Sequence, residues 1–400
     1  MKMINSMQKP DLPGTLLFQP AGLLALPNAA EVSDVLSVNG SGVGGGANSI
    51  KTALGEYFER RHFYREILSK KTGVLGEFLT DTEVASFIGA FRQTASSRIS
   101  IEALETHRFT LTQVVRILDF STCFIPTICI SLSSHGLQND NFIYPRRDTC
   151  GCSFHWCADF AFLGAVKEYL ERQFLLKFWL TKRCRSRVCL IRIAELLAHG
   201  NVKNLYDLLA ASGEVAVFDI SDSTFPGVCI LVVYGRSKDR HHVKYCAGMS
   251  YAPSMAEALV KSILELWQTY RFINLFQSTG ADPNKVEDDY LRYFLDCNSY
   301  ETYQEVSDVL VSGGDKEEKE AVDFTLLTLL SVLNDQGIAG YLYSRQSKVN
   351  GVAGVFCKYV SPDLFLHMDS SQNINGVNKY SKRFAAEILP SRMGKMVPFP

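Results

Sequence analysis

Apolar residues at positions 50, 53, 54, 57, 58 and 63 follow helical spacing, with 53, 54, 57 and 58 falling three, four, seven and eight places after 50, which predicts a helix from about Ala47 to Leu68. A second helix, from about Ala158 to Leu180, is apolar on nearly every side, so it is expected to be central in the fold. Ser254 stands as an N-cap before a third, from about Met255 to Leu275. Stretches rich in β-branched residues at 214–222 and 228–237 predict strands, and 243–253 a further strand and turn. Strands are also expected at 31–39, at 123–134 with Pro126 at an edge or bulge, and near 341–345 and 354–361. Residues 75–118 begin helical and become less regular. Segment 148–155 reads as a turn or short strand, 186–211 as a strand or helix followed by a helix, and 324–334 as a helix. A glycine-rich turn is expected from Gly40 to Gly46, and 313–323 is a solvated charge run. The pattern predicts an α+β fold, with helices over a mixed, largely antiparallel sheet. Residues 1–34 form an extended lead-in and 35–400 one domain.

The polar residues inside the three long helices change this picture. Glu56 and Glu59 lie in TALGEYFERRHF, Glu168 and Glu171 in AVKEYLERQFLLKFW, and Glu265 and Gln268 in ILELWQTYRF. Residues three apart share a helix face. Each helix therefore presents two oxygen-bearing side chains together, on a segment otherwise suited to burial. Buried carboxylates are costly without a compensating partner. Five carboxylates and an amide from three helices suit a Mg²⁺–polyphosphate site, because Mg²⁺ prefers carboxylate oxygen and keeps phosphates as co-ligands. Arg60 and Arg172, which follow Glu59 and Glu171, serve as partners of these acids or as phosphate ligands.

Gly40, Gly42 and Gly45 match G-x-G-x-x-G between an expected strand and a helix. That outline admits a Rossmann-type enzyme using NAD or S-adenosylmethionine, although the acid expected after a second strand has no counterpart. A Walker A loop is excluded, because Lys51-Thr52 follows Ile50 rather than glycine. Cys150, Cys152, Cys157 and His155 lack standard zinc spacing and read as reduced thiols near a helix start. A net charge of −1 supplies no overall basic field for nucleic acid. No apolar run is long enough to span a bilayer, and with no secretory signal the eleven cysteines favour a cytoplasmic protein.

The order of SGVG (41–44), TALGEYFER (52–60), CGCSFH (150–155), EYLER (168–172) and ELWQ (265–268) resembles the YcaO family across three separated segments. The family's lysine in its S-G-K-G turn is Val43 here. The resemblance implies an ATP- and Mg²⁺-dependent cyclodehydratase that turns Cys, Ser and Thr of a ribosomally made precursor peptide into thiazoline and oxazoline rings. Such an enzyme works in a multisubunit azole synthetase making a peptide antibiotic, with an E1-like leader-binding scaffold subunit and an FMN-dependent dehydrogenase. It further implies that Ser41, Gly42, Gly44, Arg172 and the six acid and amide residues bind the nucleotide, and that Glu56, Glu59, Glu168, Glu171 and Glu265 supply the Mg²⁺ shell. The carboxylate of Pro400 is implied as a proton acceptor. A non-catalytic scaffold of the same family is the competing reading, supported by Val43.

Overall fold

Three times along the chain, an edge strand runs through a short turn into a long helix. The computed structural model describes residues 13–20, 26–35, 38–67, 69, 71–198, 202–237, 241–312, 323–349 and 352–399. Strands β1 (Thr15–Gln19), β2 (Asn28–Ser33) and β3 (Asn39–Gly44) form an antiparallel sheet in that order, and β3 leads into α1 (Asn48–Arg65). The chain continues through β4 (Lys71–Gly73), α2 (Asp81–Thr94), α3 (Ile101–Thr106), β5 (Phe109–Arg116) and β6 (Thr122–Pro126). It then enters β7 (Cys152–His155), which leads into α4 (Ala158–Thr181). After β8 (Arg183–Cys184), β9 (Ser186–Arg187), α5 (Leu190–Leu197) and α6 (Lys203–Ser212) come β10 (Glu214–Asp219), β11 (Val228–Gly235) and β12 (Tyr245–Ala252). Strand β12 leads into α7 (Met255–Ser278). The last elements are α8 (Asp289–Asp296), α9 (Tyr300–Ser307), β13 (Leu310–Val311), α10 (Leu326–Asp335), β14 (Tyr341–Val349) and β15 (Val352–Val360).

A second sheet has the order β4-β5-β14-β15-β7 with β6 paired to β5, and a third the order β12-β11-β10-β9. All these pairings are antiparallel, and only the short β8–β13 pair among the described residues is parallel. The expected α+β architecture is therefore present. Helix α4 is the spine of the largest core, with Leu170, Phe174, Leu175, Leu176 and Trp179 almost wholly buried. Helices α1 and α7 each anchor a further core cluster. Ser254 caps α7 as expected, accepting the backbone N–H of Glu257. Among the described residues no helix is long and apolar enough to cross a membrane.

Three expectations need correction. The stretch expected as a strand at 31–39 is divided, because the chain reverses where Asp34 and Val38 exchange hydrogen bonds. The stretch expected as an extended lead-in contributes β1 and β2 to the first sheet. The expected turn at 40–46 is mostly strand, and its glycines serve packing. Gly40, Gly42 and Gly44 alternate along β3 and face α1; a Cβ at Gly40 would lie 2.3 Å from the Ala53 carbonyl oxygen, and one at Gly42 2.3 Å from that of Ser49. On the other face, Ser41 meets α7 and Val43 packs into the α7 cluster. The relevant period is two, not the spacing of a dinucleotide loop, and an edge strand of an antiparallel sheet is no Rossmann βα unit. The same device recurs in β12, where a Cβ on Gly248 would lie 2.2 Å from the Ser262 carbonyl oxygen in α7.

Gly40→Ala is expected to cost about 1–3 kcal/mol, the usual penalty of overpacking, while Gly45→Ala, with open space around its Cβ position, is expected to be near neutral. Denaturant midpoints of the two variants check this; equal midpoints would contradict the close-approach role of the β3 glycines.

Candidate functional site

An edge strand leaves every second backbone N–H without a partner in its own sheet. Here those groups are taken by the helix carboxylates. Ser41 N donates to Glu56 Oε2 at 2.5 Å from β3, and the Ser41 hydroxyl adds a contact at 3.2 Å. Met249 N donates to Glu265 Oε2 at 3.2 Å and Tyr251 N to Glu171 Oε2 at 2.5 Å, both from β12, where residues two apart share an edge. The Phe154 backbone of β7 hydrogen-bonds Glu59. Gln268 Nε2 donates to Ser41 Oγ at 2.9 Å, which ties α7 to β3. The three expected pairs are thus brought together by three sheet edges.

The carboxylates form a string in which each feels the next. Burial, and then Glu56, push the Glu59 carboxyl up to about 7. Burial, and then Glu171, push Glu265 up to about 8. Glu168 is driven well above the usual range by burial, with Glu59 and Glu171 adding to the effect and Arg172 opposing it. Both cations stand beside acids of the string: Arg60 pairs with Glu56 and Arg172 with Glu168 at 3.8 Å, each one helical turn back. Lys167 stands 3.9 Å from Glu171.

This donor set fits a hard divalent cation in type. It is rich in carboxylate oxygen, and a cation among the acids would relieve the repulsion that holds their protons on. Among the described residues no three acidic, histidine or cysteine side chains stand close enough to share one ion. The acids are therefore gathered as a string and not as a closed cage.

A cavity of about 1230 Å³ adjoins the string and is lined by Arg60, Arg172, Asp148 and Tyr290, among others. The end of the chain is bound along its approach. Trp179 Nε1 donates to the Lys395 carbonyl at 2.9 Å, Tyr293 Oη to that of Met396 at 2.7 Å, Tyr245 Oη to that of Pro398 at 3.0 Å and Tyr290 Oη to that of Phe399 at 2.5 Å. Phe399 itself is buried in the largest core. Pro400 lies outside the described residues.

Sequence reasoning missed Glu31, which lies opposite Ser41 in the β2–β3 register and is raised by burial and then by Glu56. It also missed Lys358, a buried lysine whose charge acts on Glu59 and whose Nζ donates to the Asp148 carbonyl at 3.2 Å. A lysine inside the apolar run VFCKYV was a visible anomaly; Glu31 gave no signal without the strand pairing. Cys150 and Cys152 are buried and Cys157 is exposed.

Comparison with known proteins places this geometry. The family model described as YcaO cyclodehydratase, ATP- and Mg²⁺-binding, matches residues 42–364. The microcin B17-processing protein McbD of Escherichia coli is 32% identical over 395 residues, covering 97% of each protein. A chain of the E. coli microcin synthetase McbBCD complex with pro-MccB17 bound superposes with a TM-score of 0.85 at 32% identity over 97% of both chains. YcaO from Methanopyrus kandleri bound with AMPPCP and Mg²⁺ shares the fold at a TM-score of 0.54 and 12% identity, over 88% of this chain and 86% of that one.

The raised carboxyls fix the sign of a pH effect. Glu59 and Glu265 keep their protons in the folded chain up to about 7 and about 8, against 4.5 for the ordinary group. Across that window the folded state binds more protons than the unfolded one, so the stability of the ligand-free protein falls as pH rises through it. Thermal unfolding of the ligand-free protein is expected at a melting temperature a few degrees lower at pH 8 than at pH 6, with Mg²⁺ narrowing the gap. A melting temperature that rises over this interval would contradict the assignment.

Proposed function

This chain belongs to the YcaO family of ATP- and Mg²⁺-binding cyclodehydratases, and from that premise we propose how its residues divide the work. It is an ATP-dependent heterocyclase, the cyclodehydratase of a microcin-B-type azole synthetase, and it acts on a precursor peptide within a complex with other subunits. We assign the partner roles to an E1-like leader-binding scaffold and an FMN-dependent dehydrogenase. We place the reaction in the cytoplasm, where ATP and a newly made peptide meet.

The thiol or hydroxyl of a substrate Cys, Ser or Thr attacks the carbonyl carbon of the preceding peptide bond. The tetrahedral hemiorthoamide that results has a poor leaving group. Its oxygen takes the terminal phosphoryl group of ATP, and phosphate then departs, leaving the azoline ring, ADP and phosphate. The demands on the protein are positioning and neutralisation of phosphate charge. We assign Glu56, Glu59, Glu168, Glu171 and Glu265, with Gln268, to Mg²⁺ directly or through water. Bound Mg²⁺ supplies charge for the phosphates. Arg172, on the cavity wall, contacts phosphate. Ser41 orients Glu56 and Gln268 through the bonds it already makes to them. Gly42 and Gly44 offer the nucleotide only backbone, since their side-chain faces are closed by α1. The Pro400 carboxylate receives the nucleophile's proton, a role supported by the four carbonyls before it that are held on the way to the cavity. Residues 35–400 act as one catalytic domain.

The single observation that carries this assignment is the string of neighbouring carboxylates on three helices, four of them held by backbone N–H groups of strand edges. Glu171→Gln retains shape and an acceptor for Tyr251 N–H but removes charge. Folding is expected to survive while ring formation falls by about 10²-fold or more, the scale of a lost electrostatic contact in a catalytic site. Mass analysis of peptide converted by the reconstituted complex measures this; a normal rate would remove Glu171 from the site. One residue appended after Pro400 is expected to slow ring formation with ATP binding intact, and an unchanged rate would remove the terminal carboxylate from the mechanism.

A further inference from the structure

Five arginines line the cavity, and four of them stand beside a carboxylate. Arg60 pairs with Glu56, Arg65 with Asp34 at 2.7 Å, Arg146 with Asp369 at 3.8 Å and Arg172 with Glu168 at 3.8 Å. Arg147 is different. Among the described residues no carboxylate lies within ion-pair distance of it, and its Nη1, closed off from solvent, meets no hydrogen-bond acceptor. The neighbouring groups that act on its charge are Tyr144, Cys129 and Tyr64, a thiol and two phenols. The adjacent Asp148 is committed elsewhere, its Oδ1 accepting Cys150 N at 3.0 Å and its Oδ2 Met368 N at 2.7 Å.

A guanidinium does not escape this situation by losing its proton. Arg147 is partly buried, and shielding its Nη1 from water without a counter-charge carries a cost that an arriving anion offsets. The loop that carries it is fixed, because Asp148 is bonded by Cys150 N, Met368 N and, through its carbonyl, Lys358 Nζ. A planar fork on a rigid loop suits oxygens of a tetrahedral oxyanion. Resting on the ATP chemistry proposed above, we propose that Arg147 seats a phosphate oxygen in the cavity, as a second phosphate-binding cation beside Arg172. The phosphate is either the terminal group of the nucleotide or the free phosphate that leaves the ring-forming intermediate.

The test uses the full chain and Arg147→Met, with affinities for Mg–ATP, Mg–ADP and inorganic phosphate taken from thermal-shift titrations. Loss of a charge-assisted pair is expected to weaken binding about ten- to a hundredfold. Weaker Mg–ATP binding with Mg–ADP unchanged places the terminal phosphate on Arg147. Loss of a phosphate response that the unmutated protein shows places the free phosphate there. The ligand-free variant is expected to melt no lower than the unmutated protein, because a partly buried cation with no carboxylate beside it has been removed. Unchanged affinity for all three ligands overturns the proposal. Should the methionine variant fail to fold, Arg147→Lys, which keeps the charge and loses the fork, decides by the same titrations: several-fold weaker binding supports the seat and unchanged binding overturns it. A response to phosphate but none to Mg–ATP in the unmutated protein leaves the seat standing and overturns the ATP reading.

Discussion

Unpaired backbone N–H groups at the edges of three sheets hold this protein's acidic side chains in place, and the rest of the site depends on that. An edge strand usually has to be hidden or blunted. In this fold β3, β7 and β12 each turn an open edge toward the acid pairs of the long helices. Ser41, Phe154, Met249 and Tyr251 thereby supply fixed dipoles to Glu56, Glu59, Glu265 and Glu171. The strands β3 and β12 can reach the helix carboxylates because they approach their helices at glycines, where a methyl group would collide with helix backbone. Strand, turn and helix repeat three times with this common logic. The recurrence of E-x-x-E and E-x-x-Q is therefore a repeat of local architecture as well as of chemistry.

The same arrangement leaves the electrostatics unfinished. Backbone dipoles and the cations Arg60, Arg172, Lys167 and Lys358 offset part of the negative charge, yet Glu59, Glu168 and Glu265 still hold protons above the ordinary carboxylate range. A hard cation arriving among these oxygen donors would displace the protons that burial, and then the neighbouring acids, keep on them. Val43, which stands where the family has lysine, fits this picture. Its side chain packs into the α7 cluster, so the strand contributes hydrogen bonds from Ser41 and no charge of its own.

Much of this was legible in the sequence. The three helices and their acid pairs followed from apolar spacing around Glu56, Glu168 and Glu265, because helix periodicity is a local property. The strands at 214–219 and 228–235 followed from β-branched content, and the strand at 245–252 fell within the segment expected as a further strand and turn. What was lost depended on pairing. Gly40, Gly42 and Gly44 looked like a loop, since glycine alone does not distinguish freedom of the backbone from the absence of a Cβ at a crowded face. Their alternation was the available clue. Glu31 acquired a role only through its register with Ser41, and which acids Arg60 and Arg172 stand beside was set by the helical turn.

The chain terminus shows how a local ambiguity is settled by tertiary contacts. A short Pro-Phe-Pro end reads equally as a frayed tail. Instead, Trp179 and three tyrosines from the cores around α4, β12 and α8 each donate a hydrogen bond to a successive stretch of its backbone, and Glu305 of α9 pairs with both Arg392 and Lys395. Ordering a terminus costs conformational entropy at every residue, and a tail with no task has no reason to be fixed at so many points. These bonds bring the Phe399 carbonyl to Tyr290, a residue of the cavity wall. The cavity thus takes guanidinium groups from α1, α4 and the loop before β7, with Glu56 and Glu168 beside two of them and the Phe399 carbonyl held by Tyr290 of its wall.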